Sequence, residues 1–115
     1  MPCVMRVTDR KVVEVAVGAT ARVLIQSDDS PNARMTAANL NGRAVPVVGG
    51  VAVLDQFRRG VNLLDLTVEG VEKAGDDLEL AEDCGDGTTI IVSTKFAGTG
   101  PNGPNPVVSF DIQGL

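Results

Sequence analysis

Short Val-rich runs with a period of two, divided by Gly, Pro and Asn clusters, constrain this 115-residue chain more than any other feature. In Lys11–Val17 the residues Val13, Val15 and Val17 share one side, and in Ala21–Gln26 Val23 and Ile25 do the same opposite Arg22 and Gln26. In Val61–Glu69 the side chains of Leu64, Leu66 and Val68 alternate with Leu63, Asp65, Thr67 and Glu69. Successive side chains of a strand point to opposite faces, so each run reads as a half-buried strand. Val is stiff at its first side-chain torsion and packs well on a pleated surface.

Turn signals fall between the runs. Asn41-Gly42 and Gly49-Gly50 each join two apolar segments as two-residue hairpin turns, where both positions need positive φ. Pro46 lacks a ladder donor and assigns Arg43–Val48 to a sheet edge. Thr88–Phe96 places Ile90, Val92 and Phe96 together, and Val107–Gln113 alternates Val108, Phe110 and Ile112 with Val107, Ser109 and Asp111. Residues 3–8 suit a first strand. The expected core is Val13, Val15, Val23, Ile25, Leu64, Leu66, Val68, Ile90, Val92, Phe110 and Ile112. No helix of ordinary length has a matching apolar period; Ala74–Cys84 leaves room for one or two turns. The expectation is one all-β domain over residues 1–115, an antiparallel β-sandwich of about 7–8 short strands at the spacing of a sandwich or barrel.

Residues 38–47 (Ala-Asn-Leu-Asn-Gly-Arg-Ala-Val-Pro-Val), then Gly49–Leu54, then Gly60–Val68 resemble bacterial immunoglobulin-like modules. Those modules often carry an Asn-Gly hairpin, a second Gly-bearing turn, and a Gly-x-Asn ahead of a strongly alternating strand. The resemblance covers roughly a third of the chain and implies an immunoglobulin-like sandwich. The chain departs from the pattern after Val68, where Glu69–Gly75 intervenes, and it lacks the core Trp and paired strand cysteines of antibody domains.

Chemistry is narrowed by what the chain holds. With no His, the Ser-His-Asp and Cys-His arrangements and the usual zinc sites are excluded. There is no GxSxG and no phosphate-cradling GxxxxGK, so the chain reads as non-catalytic and without a cofactor. Cys3 and Cys84 allow one disulfide or two free thiols. A net charge of −5 argues against nucleic acid as a partner. No run of ~20 apolar residues could span a membrane. Met1–Arg6 has no secretory leader, which places the chain as written in the cytoplasm, or in the periplasm or outside the cell if a leader has been removed.

Charge is uneven: residues 1–60 hold eight basic and five acidic side chains, and residues 61–115 hold two and ten. Eight carboxylates lie between Glu69 and Asp86, in a stretch (70–87) read as a solvated acidic loop with a short strand at Leu78 and Leu80. An EF-hand does not fit there, since Gly87 as its glycine would put Cys84 and Ser93 at ligand positions. The second long loop, 98–106, is rich in Gly, Pro and Asn.

These features favour a module that binds another macromolecule, as a subunit of an assembly or a surface-exposed protein. Its partner would be a protein with a basic face. Because outward strand positions are mostly Thr, Ser, Asp, Glu and Lys, the loops are the expected surface. The candidate residues are Asp76, Asp77, Glu79, Glu82, Asp83, Asp86, Asn102 and Asn105. The alternative is a calcium or carbohydrate module using the acidic loop.

Overall fold

The computed structural model describes residues 3–96 and 107–115. Within them the chain is all β and contains no helix. Its strands are β1 (Arg6–Val7), β2 (Val13–Val15), β3 (Ala21–Gln26), β4 (Arg34–Leu40), β5 (Arg43–Val45), β6 (Val47–Val48), β7 (Val51–Leu54), β8 (Gly60–Glu69), β9 (Asp77–Asp83), β10 (Thr88–Lys95) and β11 (Val107–Gly114). They form a six-stranded sheet ordered β1-β2-β11-β8-β4-β5 and a five-stranded sheet ordered β10-β9-β3-β7-β6. Neighbouring strands are antiparallel, apart from the parallel pair β2 and β11.

One apolar cluster joins the inward positions of both sheets, including Val13, Val15, Val23, Ile25, Leu64, Leu66, Val68, Phe110 and Ile112, with Val92 packed against it. The alternation visible in the sequence therefore places the core. Both hairpin signals hold as well. Asn41 and Gly42 have φ of 55° and 82°, and Gly49 and Gly50 have 62° and 78°. These values suit a primed turn, whose twist matches that of the strands it joins.

Three expectations need correction. The run Arg43–Val48 is not one strand. Pro46 interrupts both ladders, so the chain leaves the edge of the six-stranded sheet as β5 and joins the edge of the five-stranded one as β6. Ile90 does not point inward: it is exposed, and Ile91 is buried instead. The β9–β10 register slips between Ile90 and Val92, so Ile91 is an extra, bulged residue and the parity of the strand changes there. Finally, the acidic stretch is not a solvated loop. Its centre is β9, seven residues long and hydrogen-bonded between β10 and β3. Leu78 and Leu80 face the core, while Asp77, Glu79 and Asp83 are only partly buried on the other side. Acidic side chains on alternate positions do not oppose a strand when that face meets water.

A polar side chain fixes the end of the molecule where β8 begins. Asn62 is fully buried on the inward parity of β8. Its Oδ1 accepts from Asn41 Nδ2 and the Arg58 amide, both at 2.8 Å. Its Nδ2 donates to the carbonyls of Arg58, Gly60 and Ile112 at 2.9, 3.1 and 3.1 Å. Close packing against this turn also fixes Gly114, where a Cβ would lie 2.0 Å from the Arg58 carbonyl oxygen.

Candidate functional site

The register of the five-stranded sheet carries one line of side chains across its outer face. Ile90 pairs with Ala81, Ala81 with Leu24, Leu24 with Val51, and Val51 with Val48. All five are apolar, and they alternate with inward Val23, Ile25, Ala52, Leu80 and Ile91. The two ends of the row stand furthest into solvent, Ile90 at 49% and Val48 at 78% exposure, with Val53 beside the row at 42%. Leu24 and Val51 are half-buried, and Ala81, between them and Ile90, is fully buried. Arg22, Pro46, Val48, Val51 and Val53 line a shallow depression of about 270 Å³ at the β6–β7 end.

Polar side chains border the row. On one side Ser93, Glu79 and Gln26 lie level with one another, and Lys95 and Asp77 lie one step further out. Lys95 Nζ is 2.5 Å from Asp77 Oδ1. The hydrogen bond that Lys95 donates to Asp77, then the negative charge of Asp77, raises the Lys95 pKa above the ordinary 10.5, although the lysine is exposed. On the other side Arg22 Nε stands 3.6 Å from Asp83 Oδ2. Glu79 and Asp86 have no ion-pair partner among the described residues. The face is thus an apolar band with an acidic margin.

The acidic candidates divide. Asp77, Glu79 and Asp83 lie on this face, and exposed Asp86 lies in the turn between β9 and β10. Asp76 and Glu82 do not belong with them, since both are 3% exposed and engaged inside the protein. Asp76 Oδ2 accepts from Ser30 Oγ at 2.6 Å and from the Lys73 amide at 3.3 Å, tying the β3–β4 loop to residues 72–76. Ser30 Oγ accepts from the Glu72 amide at 2.9 Å, which completes the tie. Buried carboxylates need such donors, and both are held within the protein rather than displayed on this face. Asn102 and Asn105 lie outside the described residues.

Glu82 has its own task. Its two carboxylate oxygens accept from the amides of Val4 and Met5, each at 2.9 Å. That contact lays the N-terminal segment beside the end of β9, where Cys3 and Cys84 form a disulfide. Among the described residues, Cys3, Glu82 and Cys84 are the group whose donor atoms gather as a metal site requires, all within 4.8 Å of one another. With the sulfurs bonded to each other, neither is a thiolate. A pocket of about 140 Å³ lined by Val4, Thr20, Arg22, Glu82, Asp83, Cys84 and Gly85 opens beside them.

The apolar row escaped the sequence reading because each strand contributes only one or two of its residues. Its signal was Val51–Leu54, a strand apolar on both parities, together with Leu24 on the otherwise polar side of β3. Fold and face together define a two-sheet, all-β protein with an outward apolar band. No family model, curated protein or solved structure matches the chain.

Proposed function

We propose that this chain is a non-catalytic interaction module of immunoglobulin-like build, which binds a protein through the outer face of its five-stranded sheet. The strand order supports the build. In immunoglobulin lettering, β5-β4-β8-β11 reads C′-C-F-G and β3-β7-β6 reads B-E-D, with the β9–β10 hairpin inserted between F and G beside strand B. Fold alone assigns no activity, so the function rests on the face.

The observation that carries it is the register-aligned row Ile90-Ala81-Leu24-Val51-Val48 with Glu79 at its margin. Interfaces draw most of their affinity from a few desolvated apolar anchors and use rim charges for steering and orientation. Val48, Val53 and Ile90 are the anchors, and a complementary partner surface is apolar at its centre and basic at its margin. The association rate then falls as salt rises.

The test uses the exposed positions, which can be changed without disturbing the core. Wild-type protein and the double variant Val48→Lys/Ile90→Lys are immobilised and challenged with lysate of the source cells at low and high salt. A protein retained by the wild type in a salt-sensitive manner and lost by the variant, whose circular dichroism is unchanged, is the expected result. Equal retention by both, or loss on Val61→Lys/Leu63→Lys in the six-stranded sheet, places the function elsewhere.

A further inference from the structure

The Cys3–Cys84 disulfide is held by more than its own bond. Glu82 binds the Val4 and Met5 amides, and the Cys84 amide donates to the Gly87 carbonyl at 2.9 Å, so both sides of the clasp have backbone anchors independent of sulfur. The two Cα atoms are 4.9 Å apart. A dithiol reductant would give two electrons and two protons to the disulfide, forming two thiols here while it closes to its own disulfide. Cys3, Cys84 and Glu82 would then stand together as two thiols and a buried carboxylate.

The geometry points to a zinc site in the reduced protein, with Cys3 Sγ, Cys84 Sγ and a Glu82 carboxylate oxygen as its protein ligands and water in the fourth position. Zinc takes Cys sulfur at about 2.3 Å and carboxylate oxygen at about 2.0–2.2 Å, which sets tetrahedral donors roughly 3.5–3.8 Å apart. The carboxylate oxygen already lies within 4.8 Å of both sulfurs, and once the S–S bond is broken the two sulfurs rotate apart to the spacing that tetrahedral zinc requires. Each thiol loses its proton on binding the metal. The Val4 and Met5 amides orient the carboxylate, as outer hydrogen bonds do in metal sites. The Thr89 hydroxyl lies 3.4 Å from Cys3 Sγ, near enough to serve the sulfur in the same way. The adjoining pocket, of about 140 Å³, admits the water. Three protein ligands with one open position make an exchangeable site rather than a closed structural one.

The experiment is a titration of protein reduced with a phosphine, first with cobalt(II) as a coloured probe and then with zinc. The expected spectrum has a thiolate-to-cobalt band and tetrahedral visible bands, both displaced by zinc. Oxidised protein and the Cys3→Ser and Cys84→Ser variants should lack the thiolate pair signature. Glu82→Gln removes a direct ligand and should weaken zinc by more than the roughly tenfold that loss of an outer hydrogen-bonding partner costs. Thermal melting covers the case in which reduction loosens the fold: zinc should then raise the midpoint of the reduced wild type and leave that of Cys84→Ser unchanged. Reduced wild type without a thiolate band, or with no zinc-dependent rise in midpoint beyond that of Cys84→Ser, overturns the site.

Discussion

Asn62 makes five hydrogen bonds from a fully buried position, joining the Asn41 turn, the Arg58–Gly60 turn and β11. Replacing it with Ala strands several buried backbone groups at once, each worth about 1–3 kcal/mol when left unpaired, part of which nearby relaxation recovers. Asn62→Ala should therefore lose ~2–4 kcal/mol in denaturant unfolding, a large effect for a single side chain. A loss below ~1 kcal/mol would show that the turn holds without it. The parity of β8 does place residue 62 inward, in step with Leu64, Leu66 and Val68. What sequence could not supply was the set of partners, which come from residues 41, 58, 60 and 112. Lys95 makes a second residue-scale prediction. Its raised pKa means the Asp77 pair stabilises the fold fully below the ordinary lysine value of 10.5 and is lost as pH rises through the higher folded value. Titration of Lys95 Nζ by NMR should show its midpoint falling on Asp77→Asn.

At the scale of strands, a charged composition and a change of parity hid what simple alternation could not resolve. β9 carries Asp77, Glu79, Glu82 and Asp83 in seven residues, so its acid content resembled a solvated loop. Leu78 and Leu80 were its legible part. The bulge in β10 was invisible because Thr88–Phe96 offers apolar residues on both parities, Ile91 as well as Ile90 and Val92. Paired substitutions separate the two readings. Ile91→Ala should cost ~2–5 kcal/mol as a buried deletion. Ile90→Ala should stay within about 0.5 kcal/mol, as exposed changes do. Denaturant unfolding of both variants decides, and the reverse ranking would remove the bulge. By contrast, β3, β7 and β8 were readable almost to the residue: β3 alternates clearly, β7 starts directly after Gly50, and β8 runs from Gly60 to the residue before Gly70, glycines at positive φ.

Across the whole molecule, the basic first part and the acidic second part of the chain meet in one sheet. β3, β6 and β7 come from the former and β9 and β10 from the latter, and Arg22 and Asp83 pair across the join. Charge asymmetry along the sequence therefore does not become two oppositely charged lobes. The Cys3–Cys84 clasp closes a sequence separation of 81 residues, and its removal frees the unfolded chain. Cys84→Ser should lower stability by ~2–5 kcal/mol under oxidising conditions, measured by denaturant unfolding. Sequence left the pairing open, because nothing local shows that residue 3 lies beside the end of β9. The same long-range pairing assembles the apolar band from strands distant in the chain. Photo-crosslinking tests that band most directly, with a photoreactive residue at Ile90 or, as control, at Leu63 on the outer face of the six-stranded sheet. In lysate of the source cells, position 90 should give a discrete adduct with a second protein and position 63 none. Adducts from position 63 alone, or none from position 90, would place the binding face elsewhere.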